Sequence, residues 1–423
     1  MHPVTYCTNI HPGESWEQTR ANLVAHTLAV KAAVCPDRPF PVGLRVSGLA
    51  SREISPEEAV RFRAWLDENG LYVATVNGFP FGTFHGRPVK SGVYQPDWRD
   101  PARLEYTLKL AELLAVWLPD GPDDLAGSIS TVPVGFRADF DPAQEHLAFA
   151  ALRRAAEALD ALAQRTGKRI RLSLEPEPGC LVETTPQLIA LFDRLDLPAH
   201  LRPTLAVCYD CCHQALQFED PAWSLALLAD NGMDIGHVQV SSALHLSCAD
   251  LSRLSRFDEP VYLHQCVAQD GQGVLARFDD LGEALAASAG ASVGDGTLNV
   301  ESRMNRADAV VSTGSTGLSG GLETQLTARS QGAGPHATSC LEKASCWRVH
   351  FHLPVFLAEL PECLSTQRFL REFLPLVPRS VPLEVETYTF DVLPPELQTP
   401  TVVESIVREI EWVEACRSGR LEG

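Results

Sequence analysis

Glu384 and Glu386 stand two residues apart in an apolar run, Leu383-Glu384-Val385-Glu386-Thr387. In an extended strand, residues i and i+2 point to the same side, so the two carboxylates share a face. On an inner parallel strand the outward face meets an apolar helix layer, which favours the inward face near the rim. Carboxylates placed there need a cation, an arginine or a proton to offset their lost hydration, and a divalent metal meets that need. Two other apolar runs end in similar chemistry: one in Glu175-Pro176-Glu177-Pro178-Gly179, the other in Asp210-Cys211-Cys212-His213. An Asp followed three residues later by a His at a strand-to-loop junction can present carboxylate and imidazole to one site, a donor set suited to Mn, Mg, Co or Zn. The alternative is an Asp210 that caps a helix and a His213 on its surface.

His350 and His352 alternate on one face of an apolar strand, again at ligand-competent spacing, and His237 and Gln239 form the same kind of pair. Gln239 is a candidate for hydrogen-bonding a substrate. The segment Asn77-Gly78-Phe79-Pro80-Phe81-Gly82-Thr83-Phe84-His85-Gly86 reads as a rim loop, with glycines allowing close backbone approach and Phe79, Phe81 and Phe84 supplying apolar walls. Tyr94-Gln95-Pro96-Asp97-Trp98-Arg99 extends the same lid. These residues give a candidate set: Glu175 and Glu386 catalytic; Glu175, Asp210, His213 and Glu386 for a metal; Asn77, Phe79, Glu177, Gln239, His350, His352 and Glu384 for substrate.

Positioning them requires repeated strand–helix units. Short apolar runs alternate with segments of helical period, the pattern of a parallel sheet. Strand candidates are Val4–Ile10, Val42–Ser47, Leu71–Asn77, Gly127–Val134, Ile170–Glu175, Leu205–Asp210, Ile235–Ser241, Trp347–His352 and Leu383–Thr389. That is one more than an eight-stranded barrel needs. Helix candidates include Ser15–Val34, Pro56–Asn69, Pro101–Trp117, Ala143–Thr166 and Pro186–Leu195, and Ser55-Pro56-Glu57-Glu58 is an N-terminal cap pattern. Val261–Val267 and Val274–Phe278, separated by Asp270-Gly271-Gln272-Gly273, read as a β-hairpin outside the barrel. Either this excursion precedes the eighth strand, or Trp347–His352 is itself outside the barrel. Residues 286–345 are rich in Ser, Gly, Thr and Ala with almost no aromatic side chains, which predicts a disordered insertion. Residues 1–285 and 346–423 then form one α/β domain, a (β/α)8 TIM barrel.

Composition narrows the function. The chain of 423 residues is 45% hydrophobic and 21% charged, enough for a large core. Its 54 acidic and 35 basic residues give a formal charge of −19, and no basic stripe could neutralise phosphates, so nucleic acid is not an expected partner. Met1–Asn9 carries no basic segment followed by an apolar core, and no run of about 18 apolar residues occurs, which predicts a cytoplasmic protein without membrane insertion. The 12 cysteines read as reduced, buried hydrophobes; Cys208, Cys211 and Cys212 make a CxxC with no second pair at zinc-ribbon spacing. No GxxxxGK[ST], GxSxG, HExxH or post-strand GxGxxG motif is present, against nucleotide kinases, serine hydrolases and Rossmann dehydrogenases.

Longer motifs carry a resemblance. Tyr6-Cys7-Thr8-Asn9-Ile10-His11-Pro12-Gly13-Glu14-Ser15-Trp16, Asn77-Gly78-Phe79-Pro80, Leu174-Glu175-Pro176-Glu177-Pro178-Gly179-Cys180, Cys208-Tyr209-Asp210-Cys211-Cys212-His213-Gln214, Val238-Gln239-Val240-Ser241-Ser242, Val349-His350-Phe351-His352-Leu353-Pro354 and Leu383-Glu384-Val385-Glu386-Thr387-Tyr388 resemble the metabolite traffic protein EboE family. That family is itself similar to the xylose isomerase-like and sugar phosphate isomerase/epimerase barrels. The resemblance implies a role in the traffic or processing of a small metabolite, in a cluster that includes prenyltransferase-like and hydrolase-like proteins, with membrane-associated pathway partners. In the wider superfamily a divalent metal is held by positions that fall here on Glu175, Asp210, His213, Gln239 and Glu386. Gln239 stands where a histidine is expected; His237, or His350 and His352 folding over the pocket, are the substitutes. The expected function is a metal-dependent isomerase or epimerase of a small polyhydroxylated or cyclic metabolite; the alternative is a non-catalytic metabolite carrier with a degraded metal site.

Overall fold

The computed structural model describes residues 4–120, 125–290, 341 and 343–420. Eight parallel strands form the barrel: β1 (Thr5–Tyr6), β2 (Phe40–Arg45), β3 (Leu71–Asn77), β4 (Gly127–Thr131), β5 (Ile170–Leu174), β6 (Leu205–Asp210), β7 (Ile235–Val240) and, much later in the chain, β13 (Leu383–Val385). Their order is β1-β13-β7-β6-β5-β4-β3-β2. The ring closes where β1 meets β2. There Cys7 bridges Gly43, the Thr5 hydroxyl donates to the Pro41 carbonyl at 2.6 Å, and the Arg45 amide donates to Thr8 Oγ1 at 2.8 Å. A side chain at Gly43 would place its Cβ 2.7 Å from the Tyr6 carbonyl oxygen, so this seam requires glycine.

Helices on the outside begin where the sequence caps them. Ser15 and Thr184 form capping boxes with Gln18 and Gln187, and Ser55, Asp100, Asp220 and Thr401 each accept a first-turn amide. The expected helix over 15–34 contains a π-helical turn at Leu23–Thr27. The first, fourth and last barrel strands are shorter than their candidate ranges. Thr8–Ile10 and Tyr388–Val392 are 3₁₀ turns, and β4 stops at Thr131.

The surplus strand belongs to a second sheet inserted between β7 and β13. It contains β8 (Ser242–Leu246), β9 (Cys266–Asp270), β10 (Gly273–Phe278), β11 (Cys346–Leu353) and β12 (Leu364–Ser365), in the order β10-β9-β11-β8-β12. The expected hairpin is β9–β10, with its first arm starting at Cys266 rather than Val261. Trp347–His352 lies in β11, paired antiparallel to both β8 and β9. One face of β11, Trp347, Val349, Phe351 and Leu353, enters a second apolar core with Leu244, Phe257 and Phe278. The other presents Cys346, Arg348, His350 and His352 toward the barrel mouth.

The predicted disordered insertion is corrected at both ends. Residues 286–288 complete a helix, Leu281–Ser288, with Ala284 and Ala287 buried, and Leu341 and Ala344 are buried in the second core. The rest of that segment, 291–340 and 342, lies outside the described residues.

Buried Glu409, on the helix Val402–Arg417, ties the insertion to the barrel. It accepts from the Val355 amide, Thr387 Oγ1 and Ser405 Oγ, each at 3.2 Å. Burial pushes its carboxyl from the ordinary 4.5 up to about 8. The folded protein therefore keeps a proton that the unfolded chain releases, and this contribution is full below about pH 4.5 and lost as pH rises toward 8. Glu409→Gln removes the titration. Thermal melts across this range should show the gap between variant and parent moving steadily in the variant's favour as pH rises; parallel pH profiles would contradict it.

Candidate active site

Strand ends deliver the carboxylates. Asp210 closes β6 in register with Gln239 on β7, which is in register with Glu384 on β13. Glu175 follows β5 directly, its amide bonded to the Thr131 carbonyl at 3.1 Å, and Glu386 follows β13, its amide bonded to the Val240 carbonyl at 3.1 Å. Glu175, Asp210 and Glu386 can each offer an oxygen such that all three lie within 4.8 Å of one another. Asp210 spends Oδ1 on the His213 amide (2.9 Å) and the Ser241 hydroxyl (3.0 Å). It caps the helix, but His213 is buried rather than on the helix surface. Its Oδ2, like Oε2 of Glu175, is buried without a hydrogen-bond partner among the described residues. Asn9 and Asn77 both donate to Oε1 of Glu386, at 2.7 and 2.9 Å.

Three imidazoles face these carboxylates. Nε2 of His350 lies 3.2 Å from Nε2 of His213 and 2.9 Å from Nε2 of His352. Nδ1 of His213 meets the Pro176 carbonyl and Nδ1 of His352 the Glu386 carbonyl, both at 2.9 Å. A carbonyl only accepts, so in both rings Nδ1 carries a proton, which makes Nε2 the ring atom able to turn a lone pair inward. His213 also lies 3.2 Å from Glu177 Oε2. Three further groups have mutual ligand distance: Asp210, His213 and His352; Glu177, His213 and His350; and Cys212, His350 and His352.

Burial dominates the electrostatics. It pushes Glu175 and Glu386 well above the carboxylate range, reinforced for Glu175 by Asp210 and Glu177 and for Glu386 by Glu175 and Asp210. Glu177 and Glu384 rise to about 7 by burial. Burial lowers His352 to about 4 and His350 well below the usual imidazole range. Each shift is the response of a charge-bearing group to lost water with no fixed counter-charge. Unpartnered carboxylate oxygens beside inward-facing imidazole lone pairs fit a divalent cation of the oxygen- and nitrogen-binding kind, and Glu175, Asp210, Glu386, His213 and His352 would hold it.

The cavity beside this cluster is about 50 Å³. It is lined by Asn9, Asn77, Phe79, Phe84, Tyr94, Glu175, Glu177, His213, Tyr262, His350, His352, Glu386 and Tyr388, among others. Several expected residues thus meet there. Gln239 and Glu384 do not line it: Gln239 is buried with both amide atoms unpartnered, and Glu384 accepts from Thr75 within the barrel. His237 is no substitute ligand, because its Nδ1 is bonded to Ser128 Oγ at 2.6 Å and its Nε2 lies 3.3 Å from Cys208 Sγ. His350 and His352 instead each stand at mutual ligand distance with His213 and a carboxylate. Of the rim loop, Phe79 and Phe84 reach the cavity while Phe81 packs on Tyr106. Of the lid extension, Tyr94 reaches it, whereas Trp98 points into the core.

Residues 41–303 match the xylose isomerase-like TIM barrel, more than half of the chain. The chain belongs to that family. Solved structures similar to this family member include the probable 3-DHS dehydratase AsbF of petrobactin synthesis from Bacillus anthracis, at 17% identity over 66% of this chain and 84% of that one, TM-score 0.38. The IOLI protein with a binding zinc atom is 9% identical over 100% of both chains, TM-score 0.45. A xylose isomerase-like TIM barrel protein from Mycobacterium smegmatis in complex with magnesium is 14% identical over 58% of this chain and 76% of that one, TM-score 0.40. No protein of curated function matches the chain in sequence. Among the described residues no helix is long and apolar enough to cross a membrane.

Sequence reading passed over Tyr262 and Tyr388 as wall residues, and over Asn9 as the partner of Glu386. Asn9 and Tyr388 sat inside the resemblance motifs; Tyr262, on an irregular stretch of the insertion, carried no spacing signal.

Asp210→Asn keeps an oxygen for the His213 and Ser241 bonds but replaces the site-facing oxygen with an amide. Metal titration with a competing chelator should show affinity for Mn or Zn falling more than about tenfold with an unchanged melting temperature of the metal-free protein. Undiminished affinity would remove Asp210 from the metal site.

Proposed function

We propose that this protein is a divalent-metal-dependent isomerase or epimerase acting on a small polyhydroxylated or cyclic metabolite, in an EboE-like role of metabolite processing. The observation that carries this reading is the convergence of Glu175, Asp210 and Glu386 from three strand ends, with buried oxygens on Glu175 and Asp210 that nothing in the described protein satisfies.

When bound, the cation would polarise a carbonyl or hydroxyl oxygen of the substrate. The chain's own residues do the rest. Asn9 and Asn77 hold one oxygen of Glu386 and so aim the carboxylate. Glu175 and Glu386 are the pair that takes the proton from carbon and returns it. Phe79, Phe84, Tyr94, Tyr262 and Tyr388 exclude water and offer faces to an apolar side of the ring. Lys90, the one Lys or Arg among the described residues lining the cavity, is bonded to Asp280 Oδ2 at 2.6 Å and to the Glu259 and Tyr262 carbonyls. It has little charge left for a phosphate, so the reading is an unphosphorylated metabolite.

A second reading, a carrier that hands its metabolite to a membrane-associated partner, draws on Gln239, a neutral amide where the family places a ring ligand. Ligand binding that survives EDTA together with absent turnover supports the carrier. The enzyme reading predicts that Glu175→Gln and Glu386→Gln each lower kcat on a competent polyol or ketose by about 100-fold or more, with native melting curves. Full activity in both variants would sink it.

A further inference from the structure

Gln265 lies just before β9, 2% exposed, outside every candidate set read from the sequence and outside the groups of mutual ligand distance. Its amide nonetheless joins both halves of the site. Oε1 lies 2.6 Å from Nδ1 of His350, while Nε2 donates to the Tyr94 hydroxyl at 2.8 Å and to the Pro178 carbonyl at 3.0 Å. The Tyr94 hydroxyl donates in turn to Glu177 Oε1 at 3.1 Å.

The direction of this chain is fixed by its ends. The Pro178 carbonyl can only accept, so the atom facing it must be the amide nitrogen, which leaves Oε1 toward His350. An amide oxygen also only accepts, so Nδ1 of His350 must carry the proton. His213 and His352 obtain the same orientation from backbone carbonyls. His350 has its own backbone engaged elsewhere: its amide donates to the Gln265 carbonyl at 2.8 Å, and its carbonyl lies 2.8 Å from His264 Nδ1. A side chain must therefore do for its ring what backbone does for the other two.

We propose that Gln265 is a positioning residue that keeps a proton on Nδ1 of His350, so that its Nε2 is the ring atom able to turn a lone pair to the metal site. This rests on the metal-site reading above only for its consequence, since the tautomer itself is a property of the metal-free protein. In Gln265→Leu the acceptor is lost, and the His350 proton is free to move to Nε2, where it blocks the lone pair. In Gln265→Glu the acceptor remains, and Tyr94 turns its hydroxyl from Glu177 to the new carboxylate.

The first test uses the metal-free full chain with ¹⁵N-labelled histidine, His350 being assigned by the signal missing in His350→Asn. Nδ1 should be protonated in the parent and in Gln265→Glu, and should turn pyridine-like in Gln265→Leu. An unchanged Nδ1 in Gln265→Leu overturns the proposal whether or not the protein binds metal. The second test titrates Zn against a chromogenic chelator and records the visible spectrum of the Co-substituted protein. Affinity should fall about 10–100-fold in Gln265→Leu and stay within a few-fold of the parent in Gln265→Glu. A tautomer change without any loss of affinity overturns the link to the metal site. A parent that takes up no metal overturns the proposed function while leaving the tautomer result standing.

Discussion

Carboxylates brought together out of water repel one another and lose hydration, and neither cost is repaid by the usual apolar packing of a barrel interior. Glu175, Glu177, Asp210, Glu384 and Glu386 are all buried at one end of this barrel. Much of the surrounding structure can be understood as a response. Asn9 and Asn77 donate to Glu386, Thr75 donates to Glu384, Tyr94 donates to Glu177, and the His213 amide in the helix after β6 donates to Asp210. Among the described residues these donors still leave Glu175, Asp210 and Glu384 each with an unpaired oxygen. The remaining imbalance is what a bound cation would correct.

The inserted sheet is part of that solution as well as a cover. The chain leaves β7 and enters β8 across a single residue, Ser241, whose hydroxyl donates to Asp210 and accepts from the Cys212 amide. The sheet change is thereby anchored on a site carboxylate. From the far side, the amides of Val89 and Lys90 bond to the Val261 carbonyl, and Lys90 grips Asp280, pinning the rim loop against the insertion. The imidazoles of β11 then arrive from above while the carboxylates arrive from below.

The barrel was legible because its signals are local: period, caps and strand-end chemistry all lie within short windows. Glu175, Asp210, His213 and Glu386 were legible for the same reason, each terminating an apolar run. What escaped depends on pairing across long separations. Whether Trp347–His352 joined the barrel turned on its antiparallel register with β8 and β9, about which its own residues say nothing. His237 and His350 share the same i, i+2 pattern, yet Ser128 and Cys208 consume the first and the site receives the second. Gln265 had no motif at all; its role comes from three partners brought in by three other segments.

The two faces of β11 also give the protein a means of proofreading its own assembly. Sliding this strand by one residue against β8 would turn His350 and His352 into the apolar core beneath Phe257 and Leu281 and push Phe351 and Leu353 out over the carboxylates. Both errors are costly and they occur together, so a misaligned cap could not persist as a stable, inactive species. The imidazoles that face the carboxylates and the residues that hold the cap together are interleaved on one strand. Drift in either set is therefore exposed to selection on the other.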